Sequence, residues 1–311
     1  MKTFSYTKTP YLLDQVEKTE ELRKKLLLTP LSVKDTSFFR WKALIDRIHY
    51  SFILKGTNRD KRTIEELLHP KSATHTTSIQ KEMMRFKKTL DYIYYNWYVT
   101  SNPVTLTSLQ EIYNELYDEK YRIEDKELHY NLRYIQTNPD NALIQAGLAY
   151  IIFLTHSQIS KDSPLLSNVL PLLFLYKAGY DYRQFLVLEE YFAQHSDRYH
   201  RLIAESIRDS NVTGWLEFIL EATEYQLNKL LTNISSKDFN MDTSHTFLEL
   251  NERQKAILSS LDEPNSKVSN KMIQKTYRIS PITAARDLAK LSNLGLLFPI
   301  GKGRSTYYTK V

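Results

Sequence analysis

The chain has 311 residues, a net charge of +6 and 42% hydrophobic residues, which is enough apolar surface for at least one sizeable core. It has no cysteine, so disulfides, thiolate metal sites and cysteine nucleophiles are excluded, and the composition suits a reducing cytoplasm. Its seven glycines are few for this length, which disfavours turn-dense β architectures and glycine-rich phosphate loops and predicts a mostly α protein.

Apolar residues recur at helical spacing through most of residues 1–232. The predicted helices cover residues 41–54, 63–69, 78–99, 107–117, 126–137, 140–155, 164–178, 184–208 and 213–232, with a short extended piece at 121–125. The most apolar stretch, residues 142–154, is interrupted by Gln145 and is too short to span a bilayer, so we expect no membrane insertion.

A polar linker is predicted at residues 233–245, which contain few large apolar side chains. It separates a helical domain over residues 1–235 from a second domain over residues 246–311. The second domain has eleven lysines and arginines against five aspartates and glutamates and carries the whole net charge, whereas residues 1–245 are neutral. A surplus confined in this way predicts that the small domain meets a polyanion.

The second domain is predicted to contain helices at residues 252–261, 270–277 and 280–294, followed by two strands that turn at residues 301–303. Three helices followed by a basic hairpin are typical of a winged helix-turn-helix, in which the third helix enters the major groove of DNA and the wing follows phosphates. On the third helix, the face expected to pack comprises Ile282, Ala285, Leu288, Ala289 and Leu291. Other faces are expected to carry Thr283, Arg286, Asp287 and Lys290.

The segment SPITAARDLAKLSNLG, which begins at Ser280, and the following GKGRSTYY resemble the winged helix found at the end of many bacterial Fic-family proteins. The resemblance implies that the DNA contacts are Thr283, Arg286, Lys290, Lys302, Arg304 and Ser305. The alternative is a winged helix that serves only for protein contact or dimerisation.

The helical domain also resembles the Fic (Fido) fold, an all-helical domain whose best-known members transfer AMP from ATP to a protein hydroxyl. The similar segments are DNALIQAGLAYIIFLTH, LLSNVLPLLFLYKAGY and LEEYFAQHSDRYHRLI, followed by GWLEFILEAT. Between them the family carries the motif HPFxDGNGRxGR, with a histidine base, a metal carboxylate, glycines that cradle phosphates, and arginines. This chain has HSQISKDSPLLS from His156 instead.

The resemblance implies that only the histidine of this motif is kept. If His156 occupies the histidine position, Ser160 replaces the carboxylate and serines, lysine and proline replace the glycines and arginines. One lost electrostatic donor typically costs about 10²–10³ in rate, so several losses together are expected to abolish transfer. A cap at the end of the preceding helix is the alternative role of His156. Lys161 and Ser163, at the start of the next helix, form a candidate anion site.

Many Fic proteins also carry an inhibitory helix with a Ser or Thr, a Glu four residues later, and then Gly or Asn. The corresponding positions here are Ser51, Lys55 and Gly56, so lysine replaces the inhibitory glutamate. Without a motif arginine the acid would have no partner, and Lys55 is a candidate to meet an anion instead.

The sequence therefore favours a cytoplasmic DNA-binding regulatory protein, with a catalytically degenerate Fic-like domain as sensor, scaffold or dimerisation platform. It needs no cofactor and no metal. The alternative is a divergent Fic enzyme that transfers AMP or a related group using ATP and Mg²⁺, with His156 as base and Asp162 or Lys161 compensating for lost residues. In a third hypothesis both domains bind only proteins, either a different protein or a second copy of this chain.

Overall fold

The computed structural model describes residues 4–68, 77–118, 120, 122–137, 140–156, 164–236, 250–261, 266–293, 296–300 and 306–310. The chain divides into two compact units. The helical unit comprises Met1–Thr29, Leu44–Ile64 and Thr76–Lys237, and the C-terminal unit comprises Pro30–Ala43, Glu65–His75 and Asp238–Val311. Residues 30–43 and 65–75, which lie within the first predicted domain, are thus grouped with the C-terminal unit.

Helices dominate the described chain, which confirms the prediction of a mostly α protein. Before residue 237 they are α1 (Pro10–Leu28), α2 (Val33–Leu54), α3 (Lys61–Leu68), α4 (Ser78–Trp97), α5 (Leu106–Tyr117), α6 (Lys126–Thr137), α7 (Ala142–Thr155), α8 (Pro164–Val169), α9 (Leu172–Lys177), α10 (Leu188–Gln194), α11 (Ser196–Asp209) and α12 (Thr213–Ser235). A 3₁₀ turn at Tyr182–Gln184 precedes α10. No described helix has the length and apolarity needed to cross a membrane.

Helix α1 was not predicted from the sequence, and it runs beside α12 in the helical unit. Thr9 caps α1 by accepting from the Leu12 N–H, and Pro10 occupies the first turn, where its missing N–H costs nothing. The Thr9 hydroxyl also donates to Glu217 (2.6 Å), and Tyr11 donates to Glu221 (2.9 Å). The residue numbers of the two pairs increase together, from Thr9 to Tyr11 on one side and from Glu217 to Glu221 on the other, so the two helices run parallel.

The core of the helical unit is built around Trp215, which is fully buried. Its indole N–H donates to the carbonyl of Gly147 (3.0 Å), so α12 approaches α7 closely at a position without a side chain. Tyr150, Phe192 and Phe218 surround the indole ring, with ring centroids 4.9, 5.7 and 5.9 Å from it. This aromatic cluster ties α7, α10 and α12 together.

Several predicted helices have different bounds in the structure. The helix predicted at 164–178 is interrupted because Pro171 has no N–H to donate to the carbonyl of Ser167. The helix predicted at 184–208 is replaced by the 3₁₀ turn, whose residues have positive φ, and by two helices that meet at non-helical His195. The extended piece predicted at 121–125 forms no regular strand over its described residues 122–125.

The described elements near the end of the chain are α13 (Glu252–Ser259), β1 (Val268–Ser269), α14 (Asn270–Tyr277), α15 (Pro281–Asn293), β2 (Leu297–Ile300) and β3 (Tyr307–Lys310). The strands form an antiparallel sheet in the order β1-β3-β2, with Pro299 opposite Tyr308. Between α14 and α15 the chain turns at Arg278, which caps α14 in the left-handed region (φ 50°). A separate core joins the three helices to the sheet and includes Ile257, Ile273, Leu288 and Leu297.

Candidate functional sites

His156 lies at the C-terminal end of α7 as its cap residue, and only 7% of it is exposed. The amide nitrogen of Asn131 donates to its Nε2 (3.2 Å). Because an amide nitrogen only donates, Nε2 accepts and Nδ1 carries the proton, which it donates to Asp125 Oδ2 (2.9 Å). Both ring nitrogens are therefore engaged by side chains at the start and in the middle of α6.

Asp125 connects the end of α7 to the start of α6. Its Oδ1 accepts from the Leu128 N–H (2.9 Å), which caps α6, while Oδ2 accepts from His156. Burial by itself would raise the pKa of Asp125, but these hydrogen bonds outweigh it and hold the pKa below its ordinary value. The ionised carboxylate thus fixes one tautomer and one orientation of the imidazole.

The other residues predicted to correspond to the Fic motif are described only in part. Lys161 and Ser163, the candidate anion site, lie outside the described residues, as do Ser160 and Asp162. Helix α8 begins at Pro164, and Ser167 in its middle is fully buried.

Lys55, which the sequence resemblance places at the inhibitory-glutamate position, forms an ion pair with Glu82 of α4. Its ammonium also lies 5.7 Å from the centre of the Phe52 ring. Ser51, one turn earlier, is fully buried. The structure therefore places an internal carboxylate, rather than an external anion, beside Lys55.

Gly56 has a local structural role at the end of α2. Its φ is +84°, in the left-handed region that favours glycine. The Gly56 N–H donates to the carbonyl of Ile53 (2.8 Å), and the Thr57 N–H donates to that of Phe52 (2.7 Å). This is the Schellman arrangement that satisfies the last carbonyls of a helix.

In the C-terminal unit, α15 presents a solvent-exposed stripe. We define the α15 stripe by four exposed residues that share one face of the helix: Ile282, Ala285, Arg286 and Ala289. They recur at i, i+3, i+4 and i+7, so they share one face of about 100°. The opposite face packs into the core through Ala284, Leu288 and Leu291.

This arrangement corrects the predicted faces of the third helix. Ile282, Ala285 and Ala289 were expected to pack and are exposed, with 64% of Ile282 accessible. Asp287 was expected on a free face and is buried, where its carboxylate accepts from Arg253 (2.6 Å) and Gln254 (2.8 Å) of α13. The prediction failed because alanine fits either face of a helix and because a partnered carboxylate can be buried.

The predicted DNA contacts are placed as follows. Arg286 is exposed on the α15 stripe, whereas Lys290, one turn further on, is partly buried. Thr283 lies beside the helix cap, where its N–H donates to the Ser280 hydroxyl (3.1 Å) and the two hydroxyls are 2.9 Å apart. Lys302, Arg304 and Ser305, which the sequence predicts at the tip of the wing, lie outside the described part of the chain.

The chain shares its fold with a Fic family protein. A solved structure of a Fic family protein from Desulfovibrio desulfuricans G20 matches it with a TM-score of 0.60 and 13% sequence identity, over 98% of this chain and 97% of the other. No family model matches the sequence, and no curated protein is similar to it. The predicted Fic-like fold is therefore confirmed by three-dimensional similarity at an identity too low to carry residue roles.

The helical unit contains a cavity of about 40 Å³ among α2, α7, α8, α9, α10 and α12. The lining is mainly apolar, with Arg47, Asn168 and Glu189 among its polar members. The volume suits a few water molecules and is far below that of a nucleotide. His156 is not among the lining residues.

Sequence reasoning missed the partners of the candidate residues. Asp125, directly before the helix predicted at residue 126, had the position of an N-cap, and this signal could have found it. No sequence pattern indicated Asn131, Glu82 or the Arg253–Asp287 pair, because each contact joins separate elements. Among the described residues, no group of three or more His, Asp or Glu side chains could hold a metal ion.

Proposed function

We propose that this chain is a DNA-binding regulatory protein whose C-terminal unit is a winged helix-turn-helix. The observation that carries the proposal is the exposure of the α15 stripe with Arg286 at its centre, on the face opposite the packed core. The order of helices and strands supports it, because α14 and α15 are joined by a short turn and β2 and β3 form an antiparallel pair. In such a domain, α15 is the helix that enters the major groove.

The charge distribution favours DNA as the partner. Residues 246–311 carry eleven basic and five acidic side chains. One of those acids, Asp287, lies on α15 itself but is buried against Arg253, which keeps its negative charge away from the exposed face. The exposed face of α15 therefore carries no carboxylate from the middle of the helix that would repel the phosphates of DNA.

We further propose that the helical unit does not transfer AMP. Among the groups of the Fic motif only the histidine is kept, and its Nε2, the atom a base would use, accepts from Asn131. Lys55 is engaged by Glu82 and does not replace a lost motif cation. The unit would then act as a sensor, a scaffold or a dimerisation platform for the winged helix, in the cytoplasm and without a cofactor.

A second candidate function is a divergent Fic transferase. The hydrogen bond from His156 Nδ1 to Asp125 favours it, because a carboxylate on one ring nitrogen orients the other as a general base. A calorimetric titration of the full chain with ATP and Mg²⁺ separates the two. We expect no saturable heat, whereas saturable binding lost in Asn131→Asp and His156→Gln would support the transferase.

DNA binding is tested by fluorescence anisotropy of the full chain on a labelled duplex of mixed sequence. We expect the affinity to fall steeply between 50 and 200 mM salt, because counterions are released from the phosphates. The double variant Arg286→Ala, Arg304→Ala should bind more weakly with a shallower salt slope. The matched control removes Arg122 and Arg201, two exposed arginines of the helical unit, and should bind like the parent. If the full chain did not bind duplex DNA at low salt, the proposed partner of the C-terminal unit would be a protein and not DNA.

A further inference from the structure

The chemistry of the α15 stripe is unusually restricted. It contains one long cationic side chain, one branched apolar side chain and two alanines. Asp287, the acid next to Arg286, is only 4% exposed and is held by Arg253 and Gln254. The stripe therefore carries no carboxylate and no amide that could face a ligand.

This composition limits which base edges the stripe can recognise. Asn and Gln read adenine through paired hydrogen bonds, and Asp and Glu accept from cytosine, so the stripe has no group for either mode. Arg286 suits guanine, whose O6 and N7 accept two N–H donors. Ile282 and the alanines suit the methyl group of thymine, the one apolar feature that the major groove presents.

The geometry supports close approach to the bases. Ala285 and Ala289 extend only one carbon from the backbone, so the helix meets no bulky side chain between Ile282 and Arg286 as it approaches the groove. Ile282 lies in the first turn of α15, and the N-terminal residues of a recognition helix are those that contact base edges. Arg286 follows it by one turn, a rise of about 6 Å, which corresponds to roughly two base-pair steps of 3.4 Å.

We propose that the α15 stripe reads a major-groove step in which a guanine lies within about two base pairs of a thymine, with Arg286 on the guanine and Ile282 on the thymine methyl group. This inference rests on the proposed DNA binding and specifies what that site recognises. The stripe selects T·A and G·C pairs by contact, while the remaining basic residues of the C-terminal unit bind phosphates without regard to sequence.

The test begins with selection of duplexes from a random library by the full chain, which yields a preferred site. In that site each thymine is then replaced singly by deoxyuracil, which lacks only the methyl group, and each guanine by 7-deazaguanine, which lacks N7. One deoxyuracil should weaken binding about fourfold, the value of one buried methyl-sized group. One 7-deazaguanine should weaken it about tenfold, for a lost charge-assisted hydrogen bond.

Variants assign each base to its side chain. In Ile282→Ala the deoxyuracil effect should disappear, and in Arg286→Ala the 7-deazaguanine effect should disappear, because each variant has already lost the contact. Met272→Ala is the matched control, since Met272 is 50% exposed on α14 and lies off the stripe. This variant should keep both base effects at full size.

The outcomes separate the two proposals. If the full chain binds no duplex at low salt, the proposed function itself is wrong. If it binds duplex without sequence preference, or if no thymine methyl group couples to Ile282 and no guanine N7 couples to Arg286, DNA binding stands and the assignment of the stripe is overturned.

Discussion

His156 in the helical unit and Arg286 in the C-terminal unit are both candidate functional residues, yet their surroundings are opposite. His156 is buried, and both of its ring nitrogens are engaged by Asp125 and Asn131. Arg286 is exposed and, within the described part of the chain, has neither a hydrogen-bond nor an ion-pair partner. One side chain holds two helices together, whereas the other is available to a partner.

A histidine that a sequence resemblance assigns to a catalytic motif can have a structural role. An imidazole with two internal partners stabilises the junction of α6 and α7. Its withdrawal for chemistry would leave the buried Asn131 amide without this acceptor and would remove one hydrogen bond from the partly buried Asp125 carboxylate. A guanidinium that faces water can contact a ligand without breaking any hydrogen bond to the rest of the protein. The same contrast recurs within the C-terminal unit, where Arg253 is paired with buried Asp287 and Arg286 is not.

The largest effect is expected from His156→Ala, which should lower the free energy of unfolding by about 2–4 kcal/mol because Asp125 and Asn131 both lose a buried partner. Urea denaturation followed by circular dichroism measures it. His200→Ala, at an exposed position, should change stability by less than about 0.5 kcal/mol. Equal stability of the two variants would show that His156 contributes no more to folding than an exposed histidine does.

The two arginines of the C-terminal unit should respond in opposite ways. Arg286→Ala should leave the unfolding free energy within about 0.5 kcal/mol of the parent and weaken duplex binding about tenfold. Arg253→Ala should lower stability by about 1–2 kcal/mol, because Asp287 stays buried without its cation. Anisotropy and denaturation of both variants provide the check. A destabilised Arg286→Ala protein would show that this side chain has a structural partner after all.

Replacing Lys55 by glutamate is expected to destabilise the helical unit. In Lys55→Glu the attraction to Glu82 becomes repulsion between two partly buried carboxylates, at a cost of about 1–2 kcal/mol. The reversed pair Lys55→Glu, Glu82→Lys should recover most of the loss. Lys88→Glu, which disrupts the more exposed pair with Glu115, should cost less. The unfolding midpoint of each variant decides whether Lys55 acts through Glu82.

Gly56→Ala should destabilise the end of α2 by about 1 kcal/mol, because a Cβ disfavours the left-handed conformation. No atom lies within 4 Å of the added group, so the cost is one of backbone conformation and not of packing. Gly56→Asn, which tolerates this conformation better, should cost less. If alanine and asparagine cost the same, the Schellman cap does not explain this glycine.

The smallest effect concerns acid stability. The folded-state pKa of Asp125 is lowered, so the ionised form favours folding. This contribution is complete above the unfolded-state pKa of about 3.9 and is lost as the pH falls through the folded-state value. Between about pH 5 and pH 3 the free energy of unfolding of Asp125→Asn, measured by urea denaturation, should therefore fall less steeply than that of the parent, with a total difference of less than about 1 kcal/mol. Parallel curves would show that Asp125 adds no acid sensitivity.

The sequence predicted several elements closely, and the failures have physical causes. Helix α14 was predicted with its observed bounds because Arg278 and Ile279 form a tight turn before the Ser280 cap and Pro281. Helix α1 was missed because its apolar residues follow helical spacing poorly and it is stabilised by packing beside α12. The interruption at Pro171 could have been predicted from the sequence, because proline disrupts the interior of a helix.

The candidate site was predictable only as a set of separate residues. The end of the helix at His156 and the charge surplus of residues 246–311 are local or additive properties, so they could be inferred from the order of the residues, as could the predominance of helices. The packing of distant elements established that Asp125 and Asn131 contact both nitrogens of His156, that Lys55 pairs with Glu82, and that Asp287 is buried while Ile282 is exposed. Each of these contacts depends on which side chain of a distant element lies opposite. Helical periodicity predicts the direction of a side chain around the helix axis, but it does not predict which residue of another element it contacts.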